Sequence, residues 1–143
     1  MKKGKFLATA VTIAQTATYT TLTPVLDVSR AKRAVLQATA TGEDADAAAT
    51  VTFHIAAVVG DRTPVGGHST SDLTTVTVDM AGAAAKYGIP VLIDCDGMTG
   101  LELTSIVNAD AAKDALAVNL FFGLVERDKD CLTSSDTVLS GDA

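Results

Sequence analysis

The chain has no tryptophan and only six other aromatic residues, so aromatics make up 4% of its 143 residues. Sugar-binding modules hold their ligands on exposed aromatic faces. Here only Tyr19 and Tyr87 could serve, which argues against that class. Two cysteines, Cys95 and Cys131, are too few for a disulfide framework and read as reduced thiols. The charged share is 20%, with 11 Lys and Arg against 17 Asp and Glu, a net charge of −6 and a pI near 4.6. Nucleic-acid binding needs clustered cations, so nucleic acid is not an expected partner. No apolar run approaches the roughly 20 residues of a membrane span, so no membrane partner is expected either.

What the chain does have is alanine, valine and threonine. Hydrophobic residues reach 48%, and a chain of this length can bury the core of one domain without staples. So smooth a composition fits a surface partly covered by other subunits. It fits a small-residue core equally well. The opening "MKKGKFLATAVTIAQTATYT" invites a signal-peptide reading. Its apolar stretch is short and diluted by Thr9 and Thr12, and it reads better as an ordered strand or arm. Residues 1–23 are therefore expected to form an N-terminal arm or strand, 24–125 a β-domain, and 126–143 an acidic tail. The basic arm (Lys2, Lys3, Lys5) and the acidic tail could join neighbouring subunits, or both could simply be solvated termini.

Along the body the hydrophobic period is two. Strands are expected at 5–14, 19–26, 34–41, 50–58, 73–79, 90–94, 101–108 and 115–125, with loops at "GEDADA", "GDRTPVGGHSTSD", "DCDGMTG" and "NADAAKD". Only "DMAGAAAKYG" (79–88) offers a helical turn, from its alanines. This spacing predicts an all-β chain, an antiparallel β-sandwich or jelly roll.

A shift of 67 residues places Asp27 on Asp94, Leu36 on Leu103, Val51 on Val118 and Phe53 on Leu120. The loop "GEDADA" then falls on "ADAAKD". The chain thus reads as two similar hairpin halves, with chance similarity of two hairpins as the alternative. Alternation assigns Leu36, Ala38, Ala40, Val51, Phe53 and Ile55 to the core in the first half, and Leu101, Leu103, Ser105, Val118, Leu120 and Phe122 in the second. The outer face then carries Thr50, Thr52 and His54 in one copy, and Ala117, Asn119 and Phe121 in the other. "ALAVNLFFGLV" (115–125) is apolar on both faces, so Phe121 needs a cover, either another subunit or this chain's own arm or tail.

Catalytic templates fail on inventory. Ser69, His68 and Asp61 share one loop and cannot easily adopt triad geometry, and no nucleophile elbow is present. "DCDG" (94–97) lacks the third ligand and the bidentate Glu of a calcium loop, since the corresponding position is Leu103. It reads as an Asp-Gly turn, with an irregular calcium site at Asp94 and Asp96 as the alternative. Cys95 and Cys131 lack zinc-ligand spacing. No cofactor, no metal and no enzymatic activity are expected.

"PVLDVSRAKRAVLQATATGEDADAAATVTFHIAAVVGD", "TTVTVDMAG" and "LELTSIVNADAAKDALAVNLFFG" resemble small β-sandwich virion proteins of tailed bacteriophages. The shared features are an Asp-x-Ser start to a strand, Asp27 to Ser29, and an I-x-N-x-D turn, Ile106, Asn108 and Asp110. The resemblance covers 24–123 and implies a head decoration (cement) protein. Such a protein binds the major capsid protein, self-associates and resides in the virion. It carries over no catalytic residues. Phe121, His54, Lys2, Lys3 and Lys5 are the candidate interface residues. A tail or neck subunit, or a secreted adhesin or ligand-binding sandwich, are the alternative readings.

Overall fold

The computed structural model describes residues 2–6, 11–14, 17–19, 25–42, 50–60, 72–81, 84–109 and 115–126. They form eleven strands: β1 (Lys2–Lys5), β2 (Val11–Ile13), β3 (Thr18–Tyr19), β4 (Val25–Asp27), β5 (Ala31–Thr41), β6 (Thr50–Val58), β7 (Thr74–Asp79), β8 (Ala85–Tyr87), β9 (Val91–Asp94), β10 (Gly100–Asn108) and β11 (Leu116–Glu126). No helix occurs among the described residues, and the strands make two antiparallel sheets, an all-β sandwich. In sheet I, β5 lies between β11 and the edge strands β8 and β9, and β1 and β2 line the far side of β11. In sheet II, β6 and β10 are central, flanked by β7 on one side and by β3 and β4 on the other.

The core follows from alternation. Leu36, Val51, Phe53, Leu103, Val118 and Leu120 are all fully buried together, as expected from their faces, while Phe122 packs against them partly exposed. In sheet I the long strands place small residues opposite large ones: Ala38 faces Leu120, Ala40 faces Val118 and Ala34 faces Leu124. Directly opposed residues share a face, so each alanine leaves room for its neighbour's branched side chain. These alanines therefore serve the core.

The two halves are similar, but the two long strands within each half are not paired with each other. β5 pairs with β11 and β6 pairs with β10, so the connection through "GEDADA" crosses from sheet I to sheet II instead of closing a hairpin. Each half supplies one long strand to each sheet, and both central ladders run between halves. The 67-residue shift survives this rearrangement in register. Leu36 lies opposite Phe122 in sheet I, and Leu103 lies opposite Ile55 in sheet II. The edges obey the same shift: Arg33 pairs with Asp94 where Gly100 pairs with Asp27, and Val118 pairs with Val11 where Val51 pairs with Val78. The loop bonds repeat as well. Val28 N donates to Thr99 O at 3.1 Å and Cys95 N to Lys32 O at 3.0 Å, while Ala31 N donates to Val28 O and Met98 N to Cys95 O. Sheet I is thus sheet II repeated, related by an internal two-fold exchange of the halves.

Two local expectations are corrected. A bulge between Leu103 and Ser105 turns Ser105 out of the core and brings Ile106 and Asn108 in. The helical turn that 79–88 could supply is not found among the described residues: Met80 is buried, and Ala85–Tyr87 is strand β8. The backbone of β5 supplies β8 with sheet partners, which outweigh alanine's modest helix preference. Gly88 is required there, because a Cβ would lie 2.4 Å from Thr77 O. The N-terminal segment, expected as an arm or strand, is strand where it is described, with β1 and β2 in sheet I and β3 in sheet II. Asn108 secures it, its buried amide donating to Ile13 O at 3.2 Å and Ala14 O at 3.1 Å.

Candidate interaction surface

The two-fold exchange makes the outer faces of the two sheets directly comparable, and their chemistry differs. His54, on the outer face of sheet II, holds Asp72 with 2.6 Å between Nδ1 and Oδ2. A shift of 67 residues turns His54 into Phe121 and carries Asp72 back onto Lys5. In sheet I these two also meet, with Lys5 Nζ 5.9 Å from the centre of the Phe121 ring. One position in the fold is therefore an imidazole–carboxylate pair on one face and a cation–π pair on the other.

Phe121 is half-buried, and its expected cover is supplied in part by its own chain through Lys5. β1 is not a free arm, since Lys2 to Lys5 pair with Leu124 to Phe121 of β11. Lys2, Lys3 and Lys5 are nevertheless exposed. Beside Phe121, a cleft of about 270 Å³ is bounded by Thr39, Thr41, Ala85, Lys86 and Tyr87. Asn119 lies across β5 from Tyr87, both opposite Thr39, and its Oδ1 is buried without a hydrogen-bond partner. His68, Ser69, Asp61, Asp110 and Cys131 lie outside the described residues.

The prominent apolar feature was missed in sequence reasoning. Along the β8–β9 edge of sheet I, Tyr87, Ile89 and Leu92 are 70%, 81% and 62% exposed. In "KYGIPVLID" these side chains read as ordinary apolar strand residues. Only the pairing of β8 and β9 with β5 on one side reveals that, among the described residues, they stand at the edge of the sheet. Isolated exposed apolar residues need no explanation, but a row of them along one edge is a candidate contact surface.

No protein-family model matches the sequence, and no curated protein matches it. Among solved structures, the fold is similar to a chain in one described as "Structure of infectious bursal disease virus Gx strain". The TM-score is 0.46 and the identity 9%, over 87% of this chain and 32% of that one. So loose a likeness carries nothing about function.

The acidic turns are structural. Ser29 donates its backbone N–H and its hydroxyl to Asp27 Oδ1, at 2.9 and 2.7 Å. These bonds, the hydroxyl's first, hold the Asp27 carboxyl below its ordinary pKa. At the equivalent place Asp96 N donates to Asp94 Oδ1 at 3.0 Å, and Gly97 takes a φ of +83°. "DCDG" is thus the second copy of the Asp27–Ser29 turn, and among the described residues no group of three or more His, Cys, Asp or Glu could hold a metal ion. Between these aspartates Cys95 is buried, its thiol pushed up by desolvation and then by the charges of Asp94 and Asp96.

Proposed function

We propose that the chain is a structural protein of a virus particle, a capsid decoration (cement) subunit that binds the major capsid protein without catalysing a reaction. The observation that carries this reading is the exposed apolar edge of Tyr87, Ile89 and Leu92 on sheet I. Phe121 lies beside it, and Lys5 and Lys86 offer cations at its rim. An edge of this kind suits adding to another subunit's sheet, where backbone bonds supply affinity and apolar side chains supply the anchor. The sequence resemblance to phage decoration proteins points the same way, and self-association uses the same logic.

Purified particles containing this chain together with major capsid protein would support the proposal. The double variant Ile89→Asp, Leu92→Asp tests the edge. Loss of particle binding with an unchanged Tm of the free protein is the expected outcome. Unchanged particle binding would overturn the assignment of this edge, and absence from particles would overturn the virion role itself. Recovery only with isolated tails would move the subunit to a tail or neck position.

A further inference from the structure

The hydrogen bonds to β5 set which backbone groups of the β8–β9 edge point outward. Gly88 N donates to Ala38 O at 2.8 Å and Cys95 N to Lys32 O at 3.0 Å, so both residues face β5. Antiparallel ladders alternate. Val91 and Ile93 therefore also turn their N–H and C=O groups toward β5. Tyr87, Ile89, Leu92 and Asp94 direct theirs away from it, where no strand pairs among the described residues.

The edge also slips by one residue. Tyr87 pairs with Thr39 and Val91 with Leu36, which is four steps along the edge against three along β5. Pro90, with no N–H to donate, lies within this slip. The outward groups thus form two short sets, Tyr87 and Ile89 before the slip, Leu92 and Asp94 after it.

We propose that in the free protein this edge pairs antiparallel with the same edge of a second copy, about a two-fold axis between Pro90 and Val91. Ile89 then lies opposite Leu92 of the second copy, and Tyr87 opposite Asp94 of the second copy. All four turn their N–H and C=O groups outward, so each pair exchanges both hydrogen bonds. Pro90 falls opposite the second copy's Val91, whose groups are already spent on β5, so the missing N–H costs nothing. An axis through Leu92 would instead set Pro90 opposite Asp94 and leave the Asp94 carbonyl without a donor.

The side chains match in the same register. Ile89 and Leu92, both largely exposed, cover each other across the axis. Lys86 stands at one end of the edge and Asp94 and Asp96 at the other, all exposed. Reversing the strand sets each Lys86 opposite Cys95 of the second copy, between those two carboxylates. An unpaired apolar edge invites uncontrolled association, and a two-fold pairing closes it at two copies. The inference rests on reading this edge as a docking surface. A copy that docks its edge on a particle gives up the pairing.

Sedimentation velocity on the full chain tests it. The expected result is a monomer–dimer equilibrium that moves to monomer on dilution. Lys86→Asp places like charges together and should raise the dissociation constant about tenfold or more. Adding Asp96→Lys to that variant should recover most of the loss. With Cys95→Val and Cys131→Ser in the background, a mixture of Ile89→Cys and Leu92→Cys chains should form a disulfide between copies on oxidation. Directly opposed residues bring their Cα atoms to about 5.5 Å, within disulfide range. A disulfide formed by Leu92→Cys chains alone would overturn this register, and a chain that stays monomeric up to about 1 mM would overturn the pairing. A monomer that still needs Ile89 and Leu92 to bind particles would overturn self-pairing and leave capsid docking standing. A dimer that is absent from particles would do the reverse.

Discussion

Lys5 sets its ammonium 5.9 Å from the centre of the Phe121 ring, in the place where Asp72 meets His54 on the opposite sheet. Phe121 is half-buried and Lys5 is exposed, so the contact belongs to the weaker range of cation–π pairs. Lys5→Ala should cost about 0.5–1 kcal/mol in urea unfolding, and less than that would mean the geometry is not occupied in solution. Phe121→Ala should cost more, because it also removes the half-buried ring itself.

The internal repeat predicts matched core penalties. Phe53 and Leu120 are equivalent and fully buried. Phe53→Ala should cost about 3–5 kcal/mol and Leu120→Ala about 2–5 kcal/mol, measured by chemical denaturation. Both should destabilise the same single transition, because each central ladder joins the two halves. Two separate transitions would contradict that interlocking.

Cys95 and its counterpart Val28 occupy equivalent buried positions. Cys95→Val should therefore be tolerated, costing less than about 1.5 kcal/mol. With Cys131 changed to Ser, Cys95 should react with a thiol reagent only as the protein unfolds, since burial both blocks access and raises its pKa. Fast labelling of the folded protein would show that the site opens locally.

Asn108 binds two carbonyls of the N-terminal segment from a fully buried position. Asn108→Ala leaves both acceptors without that amide, and should cost about 1–3 kcal/mol. Hydrogen exchange should show the loss first at Val11–Ile13, the strand it holds in place.

Asp27 has a folded-state pKa below its unfolded one, so ionisation favours the folded chain. The stability it contributes is present above the ordinary Asp pKa. It is lost as pH falls from there through the lowered folded value. Because Asp27 is exposed, the effect on global stability is small, and the site-specific titration is the sharper measurement. In Ser29→Ala the carboxyl loses its hydroxyl donor and keeps the N–H, so NMR should show its pKa moving up toward the ordinary value. An unmoved titration would show that the hydroxyl bond is not made.

Much of this architecture was legible in the residues. Alternation in "AVLQATAT", "TVTFHIAAV" and "LAVNLFF" is a local property, because successive side chains of a strand must point to opposite faces. It correctly named the core face of three long strands, and failed on β10 only where a bulge after Leu103 adds a residue without a sequence mark. The 67-residue spacing was also present in the chain, from Asp27 on Asp94 to Phe53 on Leu120. What period two cannot convey is the partner. Val51 satisfies its burial equally well against an adjacent strand or across a sandwich, so the choice between a hairpin and a crossing at "GEDADA" rests on contacts between residues far apart in sequence. The structure decides it by pairing β5 with β11 and β6 with β10. The exposed edge at Tyr87, Ile89 and Leu92 follows from the same decision, because a residue's exposure depends on which neighbours the fold brings to it, and no local pattern specifies them.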